Sequence, residues 1–216
     1  MKEKTMNRRT LGRLLTATLS LALLASAPFA RAADEAPDAM IKRVSGEVLD
    51  TIKSDKAIQA GELSKVLTLV DTKVMPHVNF TRMTASAVGR NWRQATPEQK
   101  KRLQEEFKTL LIRTYSGALS QIKDQTLSVK PLRSAPTDTE VTVRTEVIGR
   151  GDPVQLDYRM EKMPDGWKIY DLNVLGVWLV ETYRTQFAQE IGANGLDGLI
   201  TSMSQRNKTN AGGGKS

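Results

Sequence analysis

The chain has 216 residues, 32 Lys or Arg against 24 Asp or Glu, a formal net charge of +8 and no cysteine. The lack of cysteine excludes disulfides, thiolate metal sites, a cysteine nucleophile and a lipid anchor carried on cysteine. A basic chain invites a nucleic-acid partner, but residues 1–32 carry six basic side chains and one acidic, which leaves only +3 for the rest and no footing for that reading. A charge of +3 is compatible with a weak attraction to anionic membrane surfaces.

The chain opens with Lys2, Lys4, Arg8, Arg9 and Arg13, continues as an apolar run from Leu14 to Ala27, and reaches Ala30-Arg31-Ala32 before the acidic residues Asp34, Glu35 and Asp38. That is the order of a bacterial secretory leader. The run is too short, and too interrupted by Ser and Thr, for a membrane span of about 20 residues. Arg8-Arg9 lacks the remainder of a twin-arginine pattern, so ordinary export is expected, with cleavage near Ala32. Residues 33–206 are expected to form one domain, large enough to bury a core. The polar end, Asn207 to Ser216 with Gly212-Gly213-Gly214, is expected to be a disordered tail.

Helical periodicity dominates from Pro37 to about Ile122. Ile41, Val44, Val48, Leu49 and Ile52 share one face, and Leu63, Val66, Leu67 and Val70 form a second segment opened by Gly61 and Glu62. A shorter helix follows Asn79, turns Met83, Ala87 and Val88 inward, and ends at Gly89. Thr96-Pro97-Glu98-Gln99 reads as a capping box with proline at the first helical position. It starts a long amphipathic helix through Leu103, Phe107, Leu110, Leu111, Tyr115, Leu119 and Ile122.

The period then changes to two. Leu127, Val129 and Leu132 form one strand; Val141, Val143, Thr145 and Val147 a second; Val154, Leu156, Tyr158 and Met160 a third; Trp167 to Val174 a fourth. Gly149-Arg150-Gly151-Asp152-Pro153 and Pro164-Asp165-Gly166 are turns, so the four strands should form an antiparallel meander. Two helical pieces close the domain, one from Trp178 to about Gly192 and one from Leu196 through Met203. The expected fold is α+β: a helical N-terminal half, a four-stranded curved antiparallel sheet and C-terminal helices. This order resembles the cystatin/NTF2-like cones, which enclose an apolar cavity.

No catalytic motif stands out. There is no phosphate-binding glycine loop, no HExxH and no G-x-S-x-G. His77 is the single histidine, beside Pro76, and without thiolates it cannot anchor an ordinary zinc site. Asp157-Tyr158 and Tyr170-Asp171 lie on neighbouring strands, and an Asp with a Tyr can act as base and oxyanion donor in a pocket enzyme. Strand alternation places Asp157 and Arg159 toward water, opposite Tyr158, which favours ordinary cross-strand pairing. Arg82, Arg90 and Arg93 are candidates to meet a phosphate or an acidic partner, or are simply solvated. A ligand-free envelope adaptor is the third reading.

An ordered set of local patterns goes further. Val78-Asn79-Phe80-Thr81-Arg82-Met83 is followed by Ala87-Val88-Gly89-Arg90-Asn91-Trp92, Ala95-Thr96-Pro97-Glu98-Gln99, and Phe107 through Tyr115. Val154-Gln155-Leu156-Asp157-Tyr158-Arg159, Gly166-Trp167-Lys168-Ile169-Tyr170-Asp171, Tyr183-Arg184-Thr185-Gln186-Phe187 and Gly195-Leu196-Asp197-Gly198-Leu199-Ile200 complete it. In order and spacing the set resembles the MlaC-like, toluene-tolerance (Ttg2-type) family of periplasmic phospholipid-binding proteins, over nearly all of residues 33–206. One departure is visible: many members carry Glu-Gly-Val-Ser where this chain has Leu175-Gly176-Val177-Trp178, so Trp178 is expected to reshape a pocket wall.

The resemblance implies a soluble, monomeric periplasmic carrier and no enzyme. It implies glycerophospholipid as cargo, no cofactor and no metal. The implied partners are an outer-membrane lipoprotein complex and the lipid-binding ring of an inner-membrane ABC transporter, and the implied task is outer-membrane lipid asymmetry. Such cargo needs an apolar lining with few polar anchors. The expected lining is Val141, Val143, Val147, Leu156, Tyr158 and Ile169 from the sheet, facing Phe107, Leu111, Tyr115, Trp178 and Tyr183 from the helices.

Overall fold

The computed structural model describes residues 35–209 apart from Pro136. The expected leader and residues 210–216 of the expected tail lie outside the described residues.

Helix α1 (Pro37–Ser54) begins on a proline, whose missing N–H costs nothing in the first turn, and buries Met40, Ile41, Val44 and Ile52 along one stripe. A single turn, α2 (Lys56–Gln59), is capped by Asp55, whose carboxylate accepts from the amides of Ala57 and Ile58. Helix α3 (Leu63–Leu69) does not end cleanly. Its chain widens into a π-helical turn at Val70–Val74, then tightens into a 3-10 turn at Met75–His77 containing Pro76. Periodicity alone had indicated neither turn.

Asn79 caps α4 (Phe80–Val88) through the amide of Arg82, and Gly89, at φ 67°, releases the chain from it. In the capping box of α5 (Pro97–Leu119) the Thr96 hydroxyl accepts from the Gln99 amide at 3.1 Å, and the Gln99 side chain accepts from the Thr96 amide at 3.0 Å.

The sheet is an antiparallel meander in the order β1 (Thr126–Val129), β2 (Glu140–Ile148), β3 (Val154–Met163), β4 (Gly166–Val174) and β5 (Val177–Trp178). The sheet differs from the expected four strands in having a fifth, and in β1 ending at Val129, short of Leu132. The fifth strand exists because Leu175 and Gly176 both take positive φ, 53° and 85°, and so turn the chain back in two residues. Tyr170 is an extra residue of β4: Arg159 faces Asp171, yet Met160 faces Ile169. That bulge bends the strand and deepens the curl of the sheet.

Helix α6 (Leu179–Thr209) holds the two expected C-terminal pieces, separated by the non-helical backbone of Gly195. Its last turns are ordered further than the composition suggested. Asn207 is buried, and its amide donates to the Glu106 carboxylate at 2.7 Å and to the Glu106 carbonyl at 3.0 Å. Asn207 therefore closes the domain where the tail was expected to begin.

Buried apolar side chains gather in three clusters, the first two bridged by Val78 and Leu172. One joins α4, α5 and α6 around Phe107, Tyr183 and Phe187; one joins α1 to the sheet; one joins the end of α1 to α2, α3 and Ile112 of α5.

Candidate functional site: a two-lobed apolar chamber

Two cavities lie inside this frame, of about 170 Å³ and 230 Å³. The first runs between α1 and the sheet, lined by Ile41, Val44, Val48, Val147, Leu156 and their neighbours. The second runs between the α3–π-turn segment and α5, lined by Val66, Val70, Phe80, Leu111, Tyr115 and their neighbours. Val74, Leu119, Tyr158 and Ile169 border both, so the cavities are lobes of one chamber divided by four side chains.

The lining follows from two helical stripes and one strand face. On α5, positions 108, 111, 112, 115 and 119 recur at helical spacing and face the second lobe. On α1, positions 41, 44, 45, 48, 49 and 52 face the first. Alternate residues of β2 and β3, Val147, Leu156 and Tyr158, project from the concave face of the sheet.

Polar groups in the chamber are few. The Tyr158 hydroxyl meets the side chains of Ser45 and Thr145, and burial raises its phenol above the ordinary tyrosine value. Burial raises Tyr115 as well, with a smaller contribution from Tyr183. Both rings stay neutral near pH 7.

Of the eleven residues expected at the lining, Leu111, Tyr115, Val147, Leu156, Tyr158 and Ile169 line the chamber. The other five lie elsewhere. Phe107 and Tyr183 belong to a packed aromatic group, with ring centroids 4.9 Å apart and Phe187 5.2 Å from Phe107. Val143 is fully covered and Val141 partly covered in the cluster under α1. Trp178 stands in the Asn173 row, on the face of the sheet away from the chamber, with the Arg159 guanidinium 3.8 Å from its ring centroid. Trp178 is therefore not among the residues that line either lobe.

Sequence reasoning did not assign the α1 stripe or the Val66, Val70, Val74 and Met75 wall to the lining. An apolar stripe reads the same whether it meets a neighbour or a void, so no local signal separated them.

The two candidate carboxylates do not line the chamber. Asp157 and Asp171 lie on the face opposite Tyr158, and both are buried rather than facing water. Asp157 accepts from the Gln155 side chain at 2.6 Å. Asp171 accepts from the amides of Leu172 and Val180 and from Arg159, thereby capping the start of α6. Burial raises the Asp171 carboxyl despite these donors. Among the described residues, neither Asp157 nor Asp171 lines either lobe.

Arg82 is likewise committed. It bridges Glu140 at 2.7 Å and Glu161 at 2.6 Å, two like charges that face each other across β2 and β3, and its guanidinium lies 3.6 Å from the Tyr170 ring centroid. His77 is half-buried, and its imidazole is held below its usual value by burial first and then by Arg43 and Lys168. Among the described residues no group of three His, Asp or Glu is placed to hold a metal ion, and no helix is long and apolar enough to cross a membrane.

A hollow α+β frame with an oily, nearly uncharged interior defines a binding protein for an apolar molecule. The chain belongs to the MlaC protein family, whose family model matches residues 42–205. It is similar to toluene tolerance protein ttg2D of Pseudomonas putida, 28% identical over 82% of this chain and 83% of that protein. It is also similar to the intermembrane phospholipid transport system binding protein MlaC of Haemophilus influenzae, 20% identical over 80% of this chain and 83% of that one. Among solved structures, the phospholipid-binding protein from Ralstonia solanacearum, in complex with a phospholipid, superposes with a TM-score of 0.79 at 49% identity, covering 83% of this chain and 99% of that one. By name the Haemophilus influenzae relative is a phospholipid transport binding protein and the Ralstonia solanacearum protein binds a phospholipid.

Proposed function

We propose that this chain is a periplasmic carrier that holds one glycerophospholipid with its acyl chains in the two lobes and its headgroup at the surface. In this reading it collects and delivers lipid between an outer-membrane lipoprotein complex and the lipid-binding ring of an inner-membrane ABC transporter, so sustaining the lipid asymmetry of the outer membrane. The observation that carries it is the two-lobed chamber, whose only charged lining residue among those described is Lys108.

The energetics set the need. A buried methylene is worth about 0.8 kcal/mol, so a sixteen-carbon tail resists entering water by on the order of 12 kcal/mol. A lipid crosses an aqueous gap at a useful rate only inside a protein that replaces water with apolar side chains. The chamber offers such walls, and its partition by Val74, Leu119, Tyr158 and Ile169 suits a ligand with two tails.

The test is native mass spectrometry of the gently purified full chain, followed by extraction of whatever it holds. The expected result is a stoichiometric phospholipid with two acyl chains. A chain repeatedly free of lipid, and unable to take any up from vesicles of phosphatidylethanolamine and phosphatidylglycerol, overturns the proposal.

A further inference from the structure

Lys108 is the only charged residue among the described linings of both lobes. It shares its helical stripe with Leu111, Ile112, Tyr115 and Leu119, and marks the N-terminal end of that stripe, about 16 Å from Leu119 at 1.5 Å per residue. Its stem lies along the apolar wall while its ammonium reaches outward, the usual compromise of a long charged side chain. The Nζ donates to Asp71 Oδ1 at 2.7 Å, and the two side chains are 28% and 49% exposed, which places the pair at the rim of the second lobe. Asp71 sits in the π-helical turn Val70–Val74, whose first and last residues line that same lobe. The ion pair thus joins two walls of the lobe, α5 and the π-turn.

An exposed ion pair of this kind adds little to stability, so trading its anion for another is inexpensive. A lipid with a tail in the second lobe brings a phosphodiester to the rim, where a lysine serves as a point-charge donor to a phosphate oxygen. We propose that Lys108 receives the phosphodiester of the bound lipid, and that Asp71 holds the ammonium when the lobe is empty. Loading then exchanges one oxyanion partner for another and unlinks the π-turn from α5. This inference rests on the carrier reading and adds a headgroup contact to it.

The experiment uses the full chain stripped of lipid and compares uptake of phosphatidylglycerol with that of a diacylglycerol bearing the same two tails and no phosphate. Lys108→Gln is expected to lower phosphatidylglycerol affinity by about tenfold, the loss of one charge-assisted contact, and to leave diacylglycerol affinity unchanged. Lys108→Arg is expected to restore most of the loss, and Asp71→Asn, which removes the competing anion, to strengthen phosphatidylglycerol binding alone. Equal loss of both lipids, or no change in either, overturns the proposal. Inorganic phosphate that binds the stripped chain through Lys108 while the two lipids are not distinguished would assign the rim to a free anion and likewise overturn it. A wild-type chain that takes up neither lipid removes the carrier reading itself, a separate outcome.

Discussion

Trp178 shows how much one side chain's position depends on its row in the sheet. It pairs with Asn173 in register, so it shares the outer face with Arg159 and Asp171. There the Arg159 guanidinium lies over the indole and donates to Asp171 and Glu181, tying the start of α6 to β3. A half-exposed cation–π contact is worth about 0.5–1 kcal/mol. Trp178→Ser is therefore expected to lower unfolding stability by roughly 1 kcal/mol, read from urea denaturation, with the bound-lipid content unchanged. A marked change in the lipid extracted from the variant would place the indole in the chamber wall and refute this assignment. Strand alternation alone placed Tyr158 and Asp157 on opposite faces, as they are. It did not show that Asp157 and Asp171 are buried, because that burial depends on Gln155 and Arg159 folding over them.

At the scale of elements, local signals wrote the boundaries most clearly where a cap satisfies orphan amides. Thr96, Pro97 and Gln99 form the start of α5 as their spacing implied. This start also bears on the end of the chain, since Gln99 donates from its side chain to Asp197 of α6 at 2.9 Å. Thr96→Ala removes a capping oxygen and is expected to cost about 1 kcal/mol in chemical denaturation. No loss would mean that the tertiary contacts of α5 alone set its first turn. The π-turn at Val70–Val74 was not legible in this way. Its residues continue the helical pattern of α3, and the widening arises where the segment must reach Pro76 and then join Asn79, whose amide donates to the Ile169 carbonyl of β4 at 2.8 Å. That widened turn is chamber wall, so the least predictable element is part of the candidate site.

For the whole molecule, the decisive feature is three apolar clusters where one would be ordinary for a domain of this size. Leu119 borders both lobes, so Leu119→Trp fills space in both. The expected outcome is a folded chain, by circular dichroism, with sharply reduced lipid content in native mass spectrometry. The same variant tests the linkage between cargo and stability. A ligand that binds only the folded state at 100 times its Kd adds about 2.7 kcal/mol. Stripping lipid should therefore lower the Tm of the wild type clearly and that of Leu119→Trp far less. Equal lipid content and equal shifts in both proteins would mean that the cargo sits elsewhere.

Local patterns were enough to read the helix-then-strand order, the capping of α4 and α5, the meander, and the inward-facing sides of β2 and β3. These rest on period, caps and turns, which act within a few residues. Only the tertiary structure decided which apolar residues are core and which are wall. On α5 the stripe of Leu103, Phe107 and Leu110 packs against α6, and the adjacent stripe of Lys108, Leu111, Tyr115 and Leu119 faces a void. A hydrophobic side chain is driven out of water equally by either fate, so nothing local to it encodes whether the opposite wall arrives.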